Sequence, residues 1–240
     1  MPTGAGGAGD SGQNNALGPV GGFPWPDKIT AKVVTADSAA RIHGYDVEED
    51  LARHYRFSDG IYLSLTGELP DDAKGRAFEL ALHFLAPASI SEAPTHAASL
   101  VRLCYGTVSA VIGAGAIGLA EQARFAMDEH AAWLAWLDGG GAMPAGFTTT
   151  DEGERASVQR LVERLSAAGV RISELDLPLG RTTAIVTLLH RIGFTARAQL
   201  EPVFVVARMA CMSAEALAVK PTSFREYPLD LPAFAYEAKK

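Results

Sequence analysis

The sequence predicts a predominantly α-helical protein, and three observations carry that prediction. Past residue 36 the chain is mostly Ala, Leu, Arg and Glu, with apolar residues recurring at helical spacing. Helix start signals, Asp71-Asp72 and Pro94-Thr95, stand just ahead of such runs. Strand-like alternation of β-branched residues is confined to residues 28–36, enough for a short hairpin strand.

Taken in order, residues 1–22 are rich in Gly with Asn, Ser and Ala and lack the basic start and apolar centre of a secretory signal, so they read as a disordered tail. Glu48, Asp50, Leu51 and Arg53 begin a helix whose apolar face continues through Phe57, Ile61, Leu63 and Leu65 until Gly67 and Pro70 break it. Asp71-Asp72 caps a helix running to Leu85. Pro94-Thr95 opens the next, with Leu100, Val101, Leu103, Cys104, Val108, Val111 and Ile112 at a period near four. Phe125, Ala132, Trp133, Trp136 and Leu137 share another helical stripe, and residues 139–150 form a flexible connection. Residues 151–168 make an amphipathic helix with Val158, Leu161, Val162 and Leu165 inward. Two further apolar helices fall at about 183–192 and 202–219, before a tail rich in proline and aromatic residues.

Composition sets outer limits on function. The 240 residues are 48% hydrophobic with thirteen prolines, and mean hydropathy is +0.09, as expected for one compact core. A net charge of −7 and a pI near 5.4 argue against a nucleic-acid or anionic-membrane surface, while leaving room for a local basic pocket. Cys104 and Cys211 lie in apolar helical surroundings with no metal-ligand spacing, so they read as reduced core residues of a cytoplasmic protein, with a disulfide between them as the alternative. Residues 103–120 carry no charge and reach the lower limit for a membrane span. Gly106, Gly113, Gly115 and Gly118 make this segment a buried helix running into a turn instead.

The run Val111-Ile112-Gly113-Ala114-Gly115-Ala116-Ile117-Gly118 spells Gly-x-Gly-x-x-Gly. In a dinucleotide site such glycines work only between a parallel strand and the following helix, with an acid further on to hold a ribose. Here the preceding segment has helical periodicity and no second strand precedes Asp138, so an NAD-dependent Rossmann oxidoreductase using Gly113, Gly115 and Gly118 is an alternative lacking its flanks.

The run Arg41-Ile42-His43-Gly44-Tyr45-Asp46-Val47-Glu48-Glu49-Asp50-Leu51, followed by Leu65-Thr66-Gly67-Glu68-Leu69-Pro70, resembles the citrate synthase superfamily. Members carry a Tyr-Arg-Gly-Tyr-x-Ile-Glu-Asp-Leu segment and then Leu-x-Gly-Glu-Leu-Pro at closely similar spacing. Phe204-Val205-Val206-Ala207-Arg208-Met209-Ala210 is similar to the family's Phe-x-Ile-x-Arg-x-x-Gly helix, and Lys220-Pro221 to its Arg-Pro turn. The resemblance covers most of residues 27–228 and is weakest in the middle; the short chain and the Gly113-Ala114-Gly115 corner are most similar to the compact citryl-CoA lyase-like branch.

What the resemblance implies is an all-α, citrate synthase-like fold: a large helical domain from residues 27–125 and 181–240, a small domain inserted at 126–180, and a tail at 1–26. It implies a CoA thioester such as acetyl-CoA as substrate, a 2-oxo or tricarboxylic acid, no metal, and a homodimer or a heterodimer with an intact paralogue, with neither nucleic acid nor membrane as partner. Family chemistry uses an aspartate as base, two histidines as hydrogen-bonding partners and arginines for the acid.

Carried over by position, the family's Gly-Pro-Leu-His corner puts Ala116 where the first histidine stands. Gly146-Phe147-Thr148-Thr149-Thr150 occupies the region of the second histidine without one. Counting back from Gly193, the base aspartate falls on Thr182. The catalytic residues are therefore unknown. Substrate-binding candidates are Arg208, Lys220, which replaces an arginine supplied across the dimer interface, and His96. Each has a structural alternative: Arg208 paired with Glu201 or Glu215, Lys220 as a helix C-terminal cation, His96 as a surface histidine. His190 reads as a hydrogen-bonded core residue, and nothing singles out Glu174 or Asp176 as a replacement base. Two functions survive beside the NAD alternative: a citrate synthase-family protein acting on or binding a CoA thioester and an acid, with degenerate catalytic residues, or an inactive partner or regulator of an intact paralogue.

Overall fold

A computed structural model describes residues 28–36 and 38–222; the glycine-rich tail and the aromatic C-terminal tail lie outside the described residues. The described residues are all-α apart from a small antiparallel sheet, β1 (Val34–Ala36), β2 (Ala40–Ile42) and β3 (Tyr45–Asp46), in that order. Val34 pairs with Ile42, and Ile42 in turn with Tyr45. His43 (φ 47°) and Gly44 (φ 89°) turn β2 into β3 through the left-handed region that glycine favours.

Asp46 then starts a π-type turn (Val47–Leu51), its carboxylate accepting from the amides of Glu48 and Glu49 at 3.0 Å. The helix expected to run from Glu48 through Leu65 is divided. Helix α1 (Ala52–His54) stops at Tyr55, which is extended, and α2 (Phe57–Thr66) restarts because Asp59 accepts the Arg56 amide at 2.9 Å. Gly67 ends α2 at φ 84°, and Asp71 caps α3 (Asp72–Leu85) through the Lys74 amide, as expected.

The expected helix from Pro94 through Ile112 is also two. Helix α4 (Ala93–Leu103) ends where Tyr105 takes φ 58°, and Thr107 caps α5 (Val108–Glu129). Nor do the glycines form a corner, because α5 runs straight through them. A Cβ on Gly115 would lie 2.2 Å from Met212 Sδ, and one on Gly118 2.9 Å from Pro94 Cα. These glycines let α5 approach α9 and α4. With no strand before them, the Rossmann alternative loses its structural basis.

His130 bends the chain into α6 (Ala131–Gly139), so Phe125, expected on the buried stripe, is 59% exposed while Trp133 is buried. Asp151 caps α7 (Glu152–Ala167), with Val158, Leu161 and Leu165 inward, and a 3₁₀ turn (Ser173–Asp176) leads to α8 (Arg181–Arg191). Helix α9 (Arg197–Ala218) begins five residues before Pro202, which sits within its second turn.

Two apolar cores result. One joins Phe78, Trp133, Leu161, Leu188, Leu200 and Phe204 from α3 and α6 through α9, and holds a ring cluster in which Phe78 stacks on Phe194 at 5.0 Å. The second, of Ala98, Val111, Leu119, Met212 and Ala216, lies among α4, α5 and α9. Cys104 and Cys211 are both free and exposed, not core residues as the apolar flanks suggested: each falls on the outward side of its helix end or face. No described helix is long and apolar enough to cross a membrane.

Candidate functional site

Arg208 sits on α9 one turn after Phe204, in the first core, and one turn before Met212, in the second. A long cation at that seam has its stem packed on both sides and its head directed at whatever acceptors the junction supplies. Its side chain is 15% exposed. Nη1 donates to Gln122 Oε1 on α5 at 2.8 Å, and Nη2 donates to the Pro87 carbonyl at 3.2 Å and to Glu92 Oε2. The other Glu92 oxygen accepts from the Ser89 amide at 2.9 Å. Burial pushes the Glu92 carboxyl up, but hydrogen bonds from Arg208 and Ser89 outweigh it and hold the group below the usual carboxylate range. The expected alternatives Glu201 and Glu215 are not its partners; Glu201 pairs with Arg197.

Glu92 is the N-cap of α4, and its carbonyl accepts the His96 amide at 2.9 Å, placing half-buried His96 one turn from that carboxylate. On the same turn the Thr95 hydroxyl is fully buried without a hydrogen-bond partner. Ala116 is half-buried on α5, about 9 Å along the axis before Gln122. Thr182 is exposed in the first turn of α8. Its neighbour Arg181 donates to the Phe84 carbonyl, three residues before Pro87 in the chain. The last turn of α3 therefore holds Arg181, and the connection after it holds Arg208. Lys220 is different: it is exposed beyond the end of α9, about 15 Å along the helix from Arg208, so within one chain the two do not meet. Thr222 then bonds back to Leu103 at the end of α4.

Between α6 and α8 runs a buried polar seam that sequence reasoning reached only at His190. The His130 Nδ1 faces the Ala126 carbonyl at 2.7 Å, which only accepts, so in the neutral ring that nitrogen carries the proton and Nε2 accepts from the Thr183 hydroxyl at 3.1 Å. Trp133 Nε1 donates to Thr187 Oγ1 at 2.9 Å, and His190 Nε2 meets Asp138 at 2.9 Å. Asp138, the acid a ribose would have needed, is engaged there. Phe147 packs on both His130 and Trp133. Glu174 is held by Arg191, whereas Asp176 is an exposed carboxylate whose nearest cation, Arg171, lies 3.6 Å away. Among the described residues no group of three His, Cys, Asp or Glu side chains is placed to hold a metal ion.

No family model matches the chain, and no curated protein matches it. Seven solved chains do, among them the citryl-CoA lyase of Hydrogenobacter thermophilus, with a TM-score of 0.62 and 18% identity over 85% of this chain and 94% of that one. The chain has a citrate synthase-like fold. Positions 116 and 182, onto which the resemblance carries the first histidine and the base, hold a methyl group and a hydroxyl, and Arg208 is bonded to an internal carboxylate.

Proposed function

We propose that this citrate synthase-like protein binds a CoA thioester and a 2-oxo or tricarboxylic acid without making or breaking the carbon–carbon bond between them. The observation that carries it is a contrast among the positions the resemblance points to: Arg208 is a cation suited to a carboxylate, while Ala116 and Thr182 supply neither donor nor base. A methyl group cannot donate to an enolate oxygen, and a threonine hydroxyl stays protonated at neutral pH and does not accept an α-proton. Removing one oxyanion donor costs about 10²–10³ in rate, and removing base and donors together leaves little beyond binding. The fold shared with a citryl-CoA lyase supports the ligand class.

A partner or regulatory role beside an intact paralogue is the second reading, favoured by apolar side chains left open along α5: Val108, Ile117 at 69% exposure, and Phe125. We take residues 126–180 as the small domain, and a homodimer or heterodimer as the assembly. A thermal-shift panel with acetyl-CoA, CoA, oxaloacetate, citrate and NAD tests the proposal. Stabilisation by CoA or an acid without condensation or cleavage supports it, whereas a shift with NAD alone overturns it.

A further inference from the structure

Resting on the acid-binding proposal, we infer that Glu92 is an internal stand-in for the ligand's carboxylate, and that a di- or tricarboxylic acid reaches Arg208 by displacing it. The guanidinium is neutralised within the chain by a carboxylate whose own second oxygen is held by the Ser89 amide. This pair closes the α3–α4 connection over α9, and Gln122 steadies the guanidinium from α5. An arginine so occupied offers an incoming carboxylate no free charge.

The contact is built to open by side-chain rotation alone. Glu92 stays anchored as the α4 N-cap through its backbone, its amide donating to the Ser89 carbonyl at 3.0 Å and its carbonyl accepting from His96. Ser89 and Pro87 are exposed, so water satisfies the Ser89 amide once the carboxylate swings away. Arg208 cannot follow it, because Gln122 and the Pro87 carbonyl hold the guanidinium at the seam. A ligand carboxylate then takes the charge-assisted bonds Glu92 gave up, and apparent affinity falls in proportion to the fraction of molecules in which the seat is open.

The test is calorimetric titration of the full chain with citrate, comparing wild type, Glu92→Gln and the double variant Glu92→Gln with Arg208→Gln. Glutamine keeps the shape and an oxygen for Ser89 but removes the charge. The expected result is about tenfold tighter binding by Glu92→Gln, lost in the double variant. Equal or weaker binding by Glu92→Gln, with wild type binding, overturns displacement while leaving acid binding intact; no binding by either overturns both. A second measurement needs no variant: saturating the wild type with citrate is expected to move the Ser89 amide NMR resonance and hasten its hydrogen exchange. A Ser89 amide unchanged at saturation overturns the inference.

Discussion

Replacing Gly113 and Gly118 by alanine, one at a time, separates a packing role for these glycines from a ligand-turn role. Both lie inside α5, so each substitution gains the same helix propensity, about 0.8–1 kcal/mol. Their surroundings differ. A Cβ on Gly113 meets nothing within 4 Å, whereas one on Gly118 lies 2.9 Å from Pro94 Cα and 3.1 Å from its Cβ, atoms that cannot rotate away. Overpacking of that kind costs about 1–3 kcal/mol. Subtracting the two variants cancels the propensity and leaves the steric cost, so Gly113→Ala should be the more stable by about 1–3 kcal/mol. At roughly 2–4 °C per kcal/mol for a chain of this size, Gly113→Ala should melt about 2–4 °C above wild type, and Gly118→Ala at or below it. Urea unfolding followed by circular dichroism gives the free energies. Equal shifts in the two variants, or a loss on Gly113→Ala, would mean that α5 does not pass through the run as a helix.

Two further outcomes follow from buried contacts. Thr187→Val leaves the fully buried Trp133 N–H without its acceptor and should cost about 1–3 kcal/mol in urea unfolding; a neutral effect would show that this bond does not form. Because the folded Glu92 carboxyl is held below its unfolded value, ~4.3, its contribution is complete above that pH and is lost as pH falls through the folded value. Stability should therefore drop on acidification below about pH 4, and less steeply in Glu92→Gln; identical pH slopes would remove the ion pair from the account.

Much of the helical scaffold could be read from the chain, for identifiable reasons. Asp71 and Asp151 mark helix starts because a short carboxylate at an N-cap binds the amide three residues on, a rule that needs no tertiary information. The breaks at Tyr55 and His130 could not be read, since neither position has a glycine or proline; the first depends on Asp59 reaching back to Arg56. The glycine run misled because glycine serves a turn and a close helix crossing equally well, and only Met212 and Pro94, distant in sequence, decide between them. At the site, a helix motif singles out Arg208, but its partner Glu92 lies 116 residues away and no local pattern marks it. Gln122 and the His130–Thr183 pair were missed for the same reason: such pairs are fixed by packing of non-adjacent helices, and no local pattern announces them.

Incubating the purified full chain with citryl-CoA, while following both acetyl-CoA release and ligand-dependent stabilisation, tests the central claim most directly. Saturable stabilisation with no acetyl-CoA formed above the uncatalysed rate is the predicted result. Sustained release in proportion to protein concentration would contradict it, and would require a base and donors other than those at positions 116 and 182.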